Sequence, residues 1–167
     1  MGQPAMSWGG DDRETEHDEY DTKELVESRQ RGDARALAVP HRAAAVSSAR
    51  RAVLRDVVSR ADPTVVHETA IVVSELLGNA VRHAQPLDDG RLLLRWQVRG
   101  GVVDVEVTDG GSSSQPRPLR PTAMSTHGRG LRIVRHMAHE WGVVEDTGGQ
   151  RTVWACLGGP SRRRRRA

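Results

Sequence analysis

Residues Thr69 to Ala84, TAIVVSELLGNAVRHA, form the stretch that decides the fold. Apolar residues recur in it every three or four positions, the spacing of one face of an α-helix, and this face is predicted to pack against a core. Its members are Val73, Leu76, Leu77, Ala80 and Ala84. Glu75, Asn79 and His83 follow at i, i+4 and i+8, so they form a polar stripe along the edge of the apolar face. A carboxylate, an amide and an imidazole are therefore predicted at the rim of the core.

Gly78 lies in the middle of this helix, where glycine costs about 1 kcal/mol relative to alanine. We therefore expect a bound ligand or a packed strand to approach the backbone closely at this point. A Glu, an Asn and a His at helical spacing also occur on solvated helix edges. The helix by itself leaves open whether its polar stripe is a functional site.

Length and composition predict one domain with a core of small aliphatic side chains. The chain has 167 residues, of which 37% are hydrophobic and none is Phe. It contains neither an apolar run long enough to span a membrane nor a basic start followed by an apolar segment, so we expect a cytoplasmic protein without a membrane partner. The lone Cys156 excludes an internal disulfide and a site built from several cysteines, and it is interpreted as a small buried hydrophobic residue.

Charge divides the chain into three parts. Residues 1–33 carry ten acidic and four basic side chains and no sustained apolar period, which predicts a disordered acidic leader. Residues 34–157 are predicted to be the folded domain, and residues 158–167 a disordered tail with the arginine run Arg162 to Arg166. Without this run the remaining positive charge is modest, so the high isoelectric point does not by itself argue for a nucleic-acid partner.

The periodicity of the remaining sequence predicts three helices and five strands. Strands are expected at Ala34 to Val39, Arg91 to Arg99, Val102 to Thr108, Trp141 to Glu145 and Gln150 to Leu157. Helices are expected at Arg42 to Arg60, from Asp62-Pro63 through Ala84, and from His127 to about Met137. In VVDVEVT, residues 102–108, valines alternate with polar residues, which is typical of an antiparallel strand with one covered face.

Two glycine-containing segments flank a long irregular stretch. Asp109-Gly110-Gly111 follows the second central strand directly, and residues 112–126 show no period, as in a functional lid or a disordered loop. His127-Gly128-Arg129-Gly130-Leu131 then opens a helix. Backbone N–H groups at such a glycine-rich helix start favour an anion.

Taken in order, these motifs are a helix with Glu-x-x-x-Asn, a hairpin that ends in Asp-x-Gly, a lid, a Gly-x-Gly-Leu helix and a hairpin with Gly-Gly-x-x-Thr. The order resembles the GHKL (histidine kinase-like) ATPase superfamily, and within it the small anti-sigma factor serine-protein kinases found in actinobacteria. The resemblance covers about residues 34–157. It implies an α+β fold, a two-layer α/β sandwich of the Bergerat type, in which about three helices cover one face of a mixed, mostly antiparallel sheet.

The resemblance also implies an ATP site. The implied cofactors are ATP and Mg²⁺. Glu75 would act as the catalytic general base, and Asn79 would bind the Mg²⁺. His83 matches a frequent His of such sequences. Asp109 would accept a hydrogen bond from the adenine amino group, with Gly111 letting the base approach. The phosphate-facing helix start comprises Gly128, Arg129, Gly130 and Leu131, and Thr152 matches a Thr near the adenine end. Ser113 stands where larger members have a further Gly, which leaves the behaviour of the lid open.

The implied activity is that of a serine/threonine-protein kinase that regulates transcription as an anti-sigma factor. It would transfer the γ-phosphoryl group of ATP to a Ser or Thr of an anti-sigma-factor antagonist with a STAS-type fold, and its other partner would be a sigma factor. The alternative is a non-catalytic module that sequesters a sigma factor or another regulator when nucleotide is bound. Nucleic-acid binding through the basic segments is the least favoured hypothesis, and relatives in this branch are often homodimers.

Overall fold

The computed structural model describes residues 34–111 and 129–159, with backbone only at Arg129 and Gly130. In chain order the elements are β1 (Arg35–Pro40), α1 (Ala43–Val57), α2 (Pro63–His83), β2 (Arg91–Arg99), β3 (Val102–Asp109), α3 (Arg129–Met137), β4 (Glu140–Glu145) and β5 (Arg151–Leu157). The predicted leader with residues 1–33, the lid at 112–126, Gly128 and the arginine run lie outside the described residues.

Helix α2 begins as its sequence predicts. The N–H of Thr64 donates to Oδ1 of Asp62 at 2.8 Å, so Asp62 caps the helix and Pro63 occupies its first turn, where no N–H is needed. The predicted apolar face is buried along its whole length, since Val73, Leu76, Leu77, Ala80 and Ala84 are all almost inaccessible to solvent. This face makes α2 the helix against which the rest of the domain packs.

The strands form one five-stranded sheet in the order β1-β2-β3-β5-β4. All four described strand pairs are antiparallel. Helices lie on one face of this sheet, so the predicted α+β two-layer sandwich is confirmed, and the sheet within the described ranges is antiparallel throughout. Strand β3 is central, with β2 on one side and β5 on the other.

The two faces of the sheet differ in composition because neighbouring residues of a strand point to opposite sides. Val103, Val105 and Val107 of β3 point to the helices and are fully buried in the core with α2. Asp104, Glu106 and Thr108 point to the other side, which we call the outer face. The alternation predicted for this strand is therefore confirmed. No helix in the described ranges is long and apolar enough to cross a membrane.

Candidate functional site

The end of α2 is tied to the end of β3 by two backbone hydrogen bonds. The N–H of Gly110 donates to the carbonyl oxygen of Gln85 at 2.8 Å, and the N–H of Gln85 donates to that of Gly111, also at 2.8 Å. Gln85 follows the last turn of α2 almost directly, and Gly110 follows β3. The link brings the end of the helix that carries Asn79 to the end of the strand that carries Asp109.

Asp109 points to the same side of the sheet as α2. It shares the alternation of Val103, Val105 and Val107, so its side chain faces the helix layer, and it is 1% exposed. Asn79 lies on the helix that covers this face. The two residues that the resemblance assigns to the two ends of a nucleotide therefore lie on one side of the sheet and at one end of the domain.

Both carboxylate oxygens of Asp109 have hydrogen-bond donors. Oδ1 accepts from the N–H of Gly111 at 2.8 Å, and Oδ2 forms an ion pair with Nη2 of Arg151 at 3.1 Å. Burying a carboxylate without a partner costs free energy, and the positive charge of the Arg151 guanidinium offsets this cost. An ionised carboxylate has about four lone-pair positions, and the two that remain suit an exocyclic amino group of a purine.

The two glycines after Asp109 are required by their surroundings. A Cβ at Gly110 would overlap with the carbonyl oxygen of Pro86, and one at Gly111 would overlap with that of Gly149. Gly111 also has a φ of 80°, which side chains rarely adopt. The sequence Asp-Gly-Gly thus lets the loop after β3 pack tightly between the end of α2 and the β4–β5 turn.

Asn79 is held by an arginine of its own helix. Nη2 of Arg82 donates to Oδ1 of Asn79 at 3.2 Å, and the Arg82 guanidinium lies over Gly78, with Nη1 3.1 Å from where a Cβ would be. The close neighbour of Gly78 is therefore a guanidinium, and the expectation of a packed strand there is wrong. Without a Cβ at position 78, Arg82 can fold back along the helix to Asn79.

The polar atoms of Asn79 fit a hydrated or phosphate-bound Mg²⁺. Its Oδ1 already accepts from a cationic group, so a positive charge is accommodated beside this oxygen. Its Nδ2 is buried, and the described part of the chain offers it no hydrogen-bond partner. A buried amide donor without an acceptor is costly, and a phosphate oxygen or a metal-bound water would satisfy it.

Glu75 lies one turn before Asn79 on the same stripe. Its side chain is half-buried, and across residues 34–111 and 129–159 its carboxylate has no hydrogen bond or ion pair. His83 is exposed at the last position of α2. The polar stripe predicted from the sequence thus runs from a half-buried carboxylate to an exposed imidazole.

The helix start that the resemblance assigns to the phosphates is described in part. Helix α3 begins at Arg129 and Gly130, whereas Gly128 lies outside the described residues. Leu131 is half-buried against the core, and Val134 is fully buried. The first N–H groups of any helix have no partner within it, and an anion site at this end of α3 would use these donors.

Thr152 lies on the other face of the sheet from Asp109. Its hydroxyl oxygen is 2.8 Å from that of Thr108, its partner across β3 and β5. The residue opposite Asp109 in this register is Arg151. The structure therefore does not bring Thr152 together with Asp109, and it places Arg151 there instead.

Sequence reasoning missed both arginines of this site. Arg82 could have been noticed, because i and i+3 are neighbours on a helix. Arg151 carried no signal of its own, since its place beside Asp109 follows from the pairing of β3 with β5. Paired residues of antiparallel strands point to the same face, so the register had to be known first.

The fold and the site define a nucleotide-binding domain of the class that the resemblance predicted. Comparison with known protein families matches residues 38–157 to the histidine kinase-like ATPase domain, and the chain belongs to this family. The protein is therefore an ATP-binding regulatory protein of the GHKL superfamily. A comparison with curated proteins found no significant match.

Proposed function

We propose that the protein is an anti-sigma factor with serine/threonine-kinase activity, which transfers the γ-phosphoryl group of ATP to an anti-sigma-factor antagonist with a STAS-type fold. The observation that carries this proposal is the state of Glu75. A half-buried carboxylate that has no ion-pair partner in the described part of the chain, one turn from Asn79, is available to take a proton. A domain that only bound nucleotide would not use this carboxylate as a base.

The roles follow from the positions of the side chains. Phosphoryl transfer depends mainly on positioning and on neutralising charge. Asn79 would hold Mg²⁺ through Oδ1 after Arg82 gives way, and its buried Nδ2 would donate to a phosphate oxygen or a metal-bound water. Mg²⁺ supplies charge neutralisation of the phosphates when bound. Glu75 would accept the proton of the attacking Ser or Thr hydroxyl.

Asp109 and Arg151 would fix the other end of the nucleotide. The buried carboxylate keeps two lone-pair positions for the adenine amino group, while Arg151 holds it in place. Discrimination against guanine follows, because guanine presents a carbonyl oxygen at the corresponding position and two acceptors would then face each other. We therefore expect ATP to bind more tightly than GTP.

The test uses the full-length protein with Mg²⁺, labelled ATP and a STAS-type antagonist. Label should appear on a Ser or Thr of the antagonist, and Glu75→Gln should slow its appearance by about 100-fold or more, the range for losing a general base. Glu68→Gln is the matched control, because Glu68 is half-buried on the same helix. This control should transfer label at the wild-type rate.

Two results would redirect the proposal. If the protein binds ATP and the antagonist or a sigma factor tightly but transfers no label, the non-catalytic module is the better description. If Glu75→Gln and Glu68→Gln transfer label equally fast, the general base lies elsewhere in the chain.

A further inference from the structure

A second polar cluster is centred on Asp56, in the last turn of α1. Its Oδ2 accepts a hydrogen bond from Nε1 of Trp96 at 3.0 Å, and it forms ion pairs with Nε of Arg35 at 3.1 Å and with Nη1 of Arg60 at 3.3 Å. The Asp56 side chain is 9% exposed. One largely buried carboxylate therefore orients two guanidinium groups and an indole, which come from three different parts of the chain.

This cluster is separate from the nucleotide site. Arg35 pairs with Trp96 in the register of β1 and β2, and Trp96 pairs with Val105 of β3. Val105 precedes Asp109 by four residues, which is about 13 Å along a strand. Asp56 belongs to α1, whereas the helix that carries the proposed magnesium ligand is α2. A ligand bound at the Asp56 cluster would therefore leave the ATP site free.

A cavity of about 510 Å³ adjoins the cluster and is open to solvent. Its described lining consists of Ala34, Arg35, Asp56 and Arg60. Small-ligand sites in proteins have volumes of about 300–1,000 Å³, so the cavity is large enough for a small ligand or a side chain of a partner. Its wall carries two positive groups and one negative group. One positive charge is left unbalanced, and a ligand with a single negative charge would neutralise it.

Arg35 retains most of its hydrogen-bond donors. A guanidinium carries five N–H groups, and within the described ranges only the Nε of Arg35 has a partner. Its Nη1 and Nη2 form the planar fork that matches a carboxylate in geometry. The side chain is 61% exposed, so a ligand can reach this fork from solvent. Arg35 therefore offers a bidentate binding group at the wall of the cavity.

Arg60 is ordered by two acceptors before any ligand binds. Its Nη1 donates to Oδ1 of Asp56 at 3.3 Å, and its Nη2 donates to the carbonyl oxygen of Val98 at 2.9 Å. The side chain is 35% exposed. A side chain that is already held loses little further conformational freedom when a ligand binds. Arg60 therefore supplies a fixed positive charge beside the more mobile contact that Arg35 can make.

We propose that this cavity binds a monocarboxylate, with Arg35 as the bidentate partner and Arg60 as the second positive group. The two terminal nitrogens of Arg35 would donate to the two carboxylate oxygens. A phosphate monoester carries about two negative charges at neutral pH, more than the single unbalanced positive charge, and it would face the carboxylate of Asp56. The chemistry fits a glutamate or aspartate side chain of a partner protein and also a free aliphatic acid.

The test follows the indole N–H of Trp96 in heteronuclear NMR spectra of the full-length protein without nucleotide. The chain has four tryptophans, so this signal is assigned through bonds from the Trp96 backbone. Because the indole donates to Asp56, which also contacts both arginines, a ligand in the cavity should shift the signal. The shift should saturate as the ligand is added.

Two carboxylate probes distinguish the two sources of ligand. One is butyrate, and the other is a blocked pentapeptide with a single central glutamate between alanines; both are titrated at constant ionic strength. The same peptide with glutamine in place of glutamate is the neutral control, and it should cause no saturable shift. Saturation by both carboxylate probes would show that a free acid is sufficient. Saturation by the glutamate peptide alone would identify a protein segment as the ligand.

A pair of arginine variants tests the binding group. Arg35→Met should weaken binding of the carboxylate probe by about tenfold or more, because charge-assisted bidentate hydrogen bonds are among the strongest that a protein forms. Arg55→Met is the matched control, since Arg55 is exposed on the same helix as Asp56 and is not part of the described lining. Circular dichroism checks that both variants are folded.

Three results would overturn the proposal. They are the lack of a saturable shift with either carboxylate probe, an equal shift with the glutamine peptide, and equal affinity of Arg35→Met and Arg55→Met for the probe. ATP binding is measured in parallel by calorimetry. Because the carboxylate titrations contain neither nucleotide nor antagonist, their failure leaves the proposed kinase activity untouched, and the reverse also holds.

Discussion

The Nη2 of Arg151 lies 3.1 Å from Oδ2 of Asp109, and the two side chains are 17% and 1% exposed. They are partners in the register of β3 and β5, so the sheet itself sets their approach. The carboxylate predicted to select adenine therefore has a counter-charge built into the neighbouring strand.

Replacement of Arg151 by methionine should cost both stability and affinity. Arg151→Met leaves the Asp109 carboxylate buried without its partner, and breaking a largely buried pair costs about 3 kcal/mol. We expect the free energy of unfolding in urea to fall by about this amount and ATP binding by calorimetry to weaken. Arg91→Met, at an exposed arginine, is the control. Equal stability of the two variants would show that the ion pair contributes nothing.

Alanine substitutions at two glycines with the same backbone conformation separate the cost of backbone strain from the cost of steric overlap. Gly90 and Gly111 have φ values of 77° and 80°, but a Cβ at Gly90 meets nothing within 4 Å, whereas one at Gly111 overlaps with Gly149. Gly90→Ala should cost about 1 kcal/mol, the usual penalty for a left-handed conformation. Gly111→Ala should cost at least about 2 kcal/mol more and abolish ATP binding. Thermal unfolding and calorimetry measure the two effects, and equal costs would contradict the packing described for the loop after β3.

Thr152→Val distinguishes the observed position of Thr152 from the one that the resemblance implies. The variant removes the hydrogen bond to Thr108, which is worth about 1 kcal/mol. Because Thr152 faces away from Asp109, no contact with the nucleotide is lost, and ATP affinity should change by less than about twofold, which is about 0.4 kcal/mol. A tenfold loss of affinity in calorimetry would instead place its hydroxyl in the nucleotide site.

Asn79→Ala should remove the dependence of ATP binding on magnesium. Wild-type affinity is expected to fall when Mg²⁺ is chelated, and the variant should bind ATP equally weakly with and without the ion, because the proposed ligand is missing. Gln85→Ala is the control: it removes an exposed amide side chain close by and keeps the backbone bonds to Gly110 and Gly111. If Mg²⁺ raises the ATP affinity of Asn79→Ala as much as that of the wild type, Asn79 is not the magnesium ligand.

The sequence was sufficient to predict the helices and strands and the side of each that is buried. The Asp62 cap, the apolar face of α2 and the alternation in β3 are local patterns, and all three are found as predicted. Contacts between distant residues were not accessible in this way. The Asp109–Arg151 pair depends on which strands are neighbours, and the contact of Arg82 with Gly78 depends on a rotamer.

The surroundings of Cys156 show the same limit. Cys156 was correctly predicted to be buried, and a single cysteine gave no indication of its neighbours. Only the order of β3, β5 and β4 places His139 and Glu140 beside its sulfur.

The bond pair between Gln85 and the Gly110–Gly111 segment uses peptide groups only. Any amino acid except proline can supply it at position 85, so homologues are free to vary this residue while the helix end and strand end stay joined. Alignments would show little constraint there, even though Gln85→Pro would break one of the two bonds by deleting an N–H.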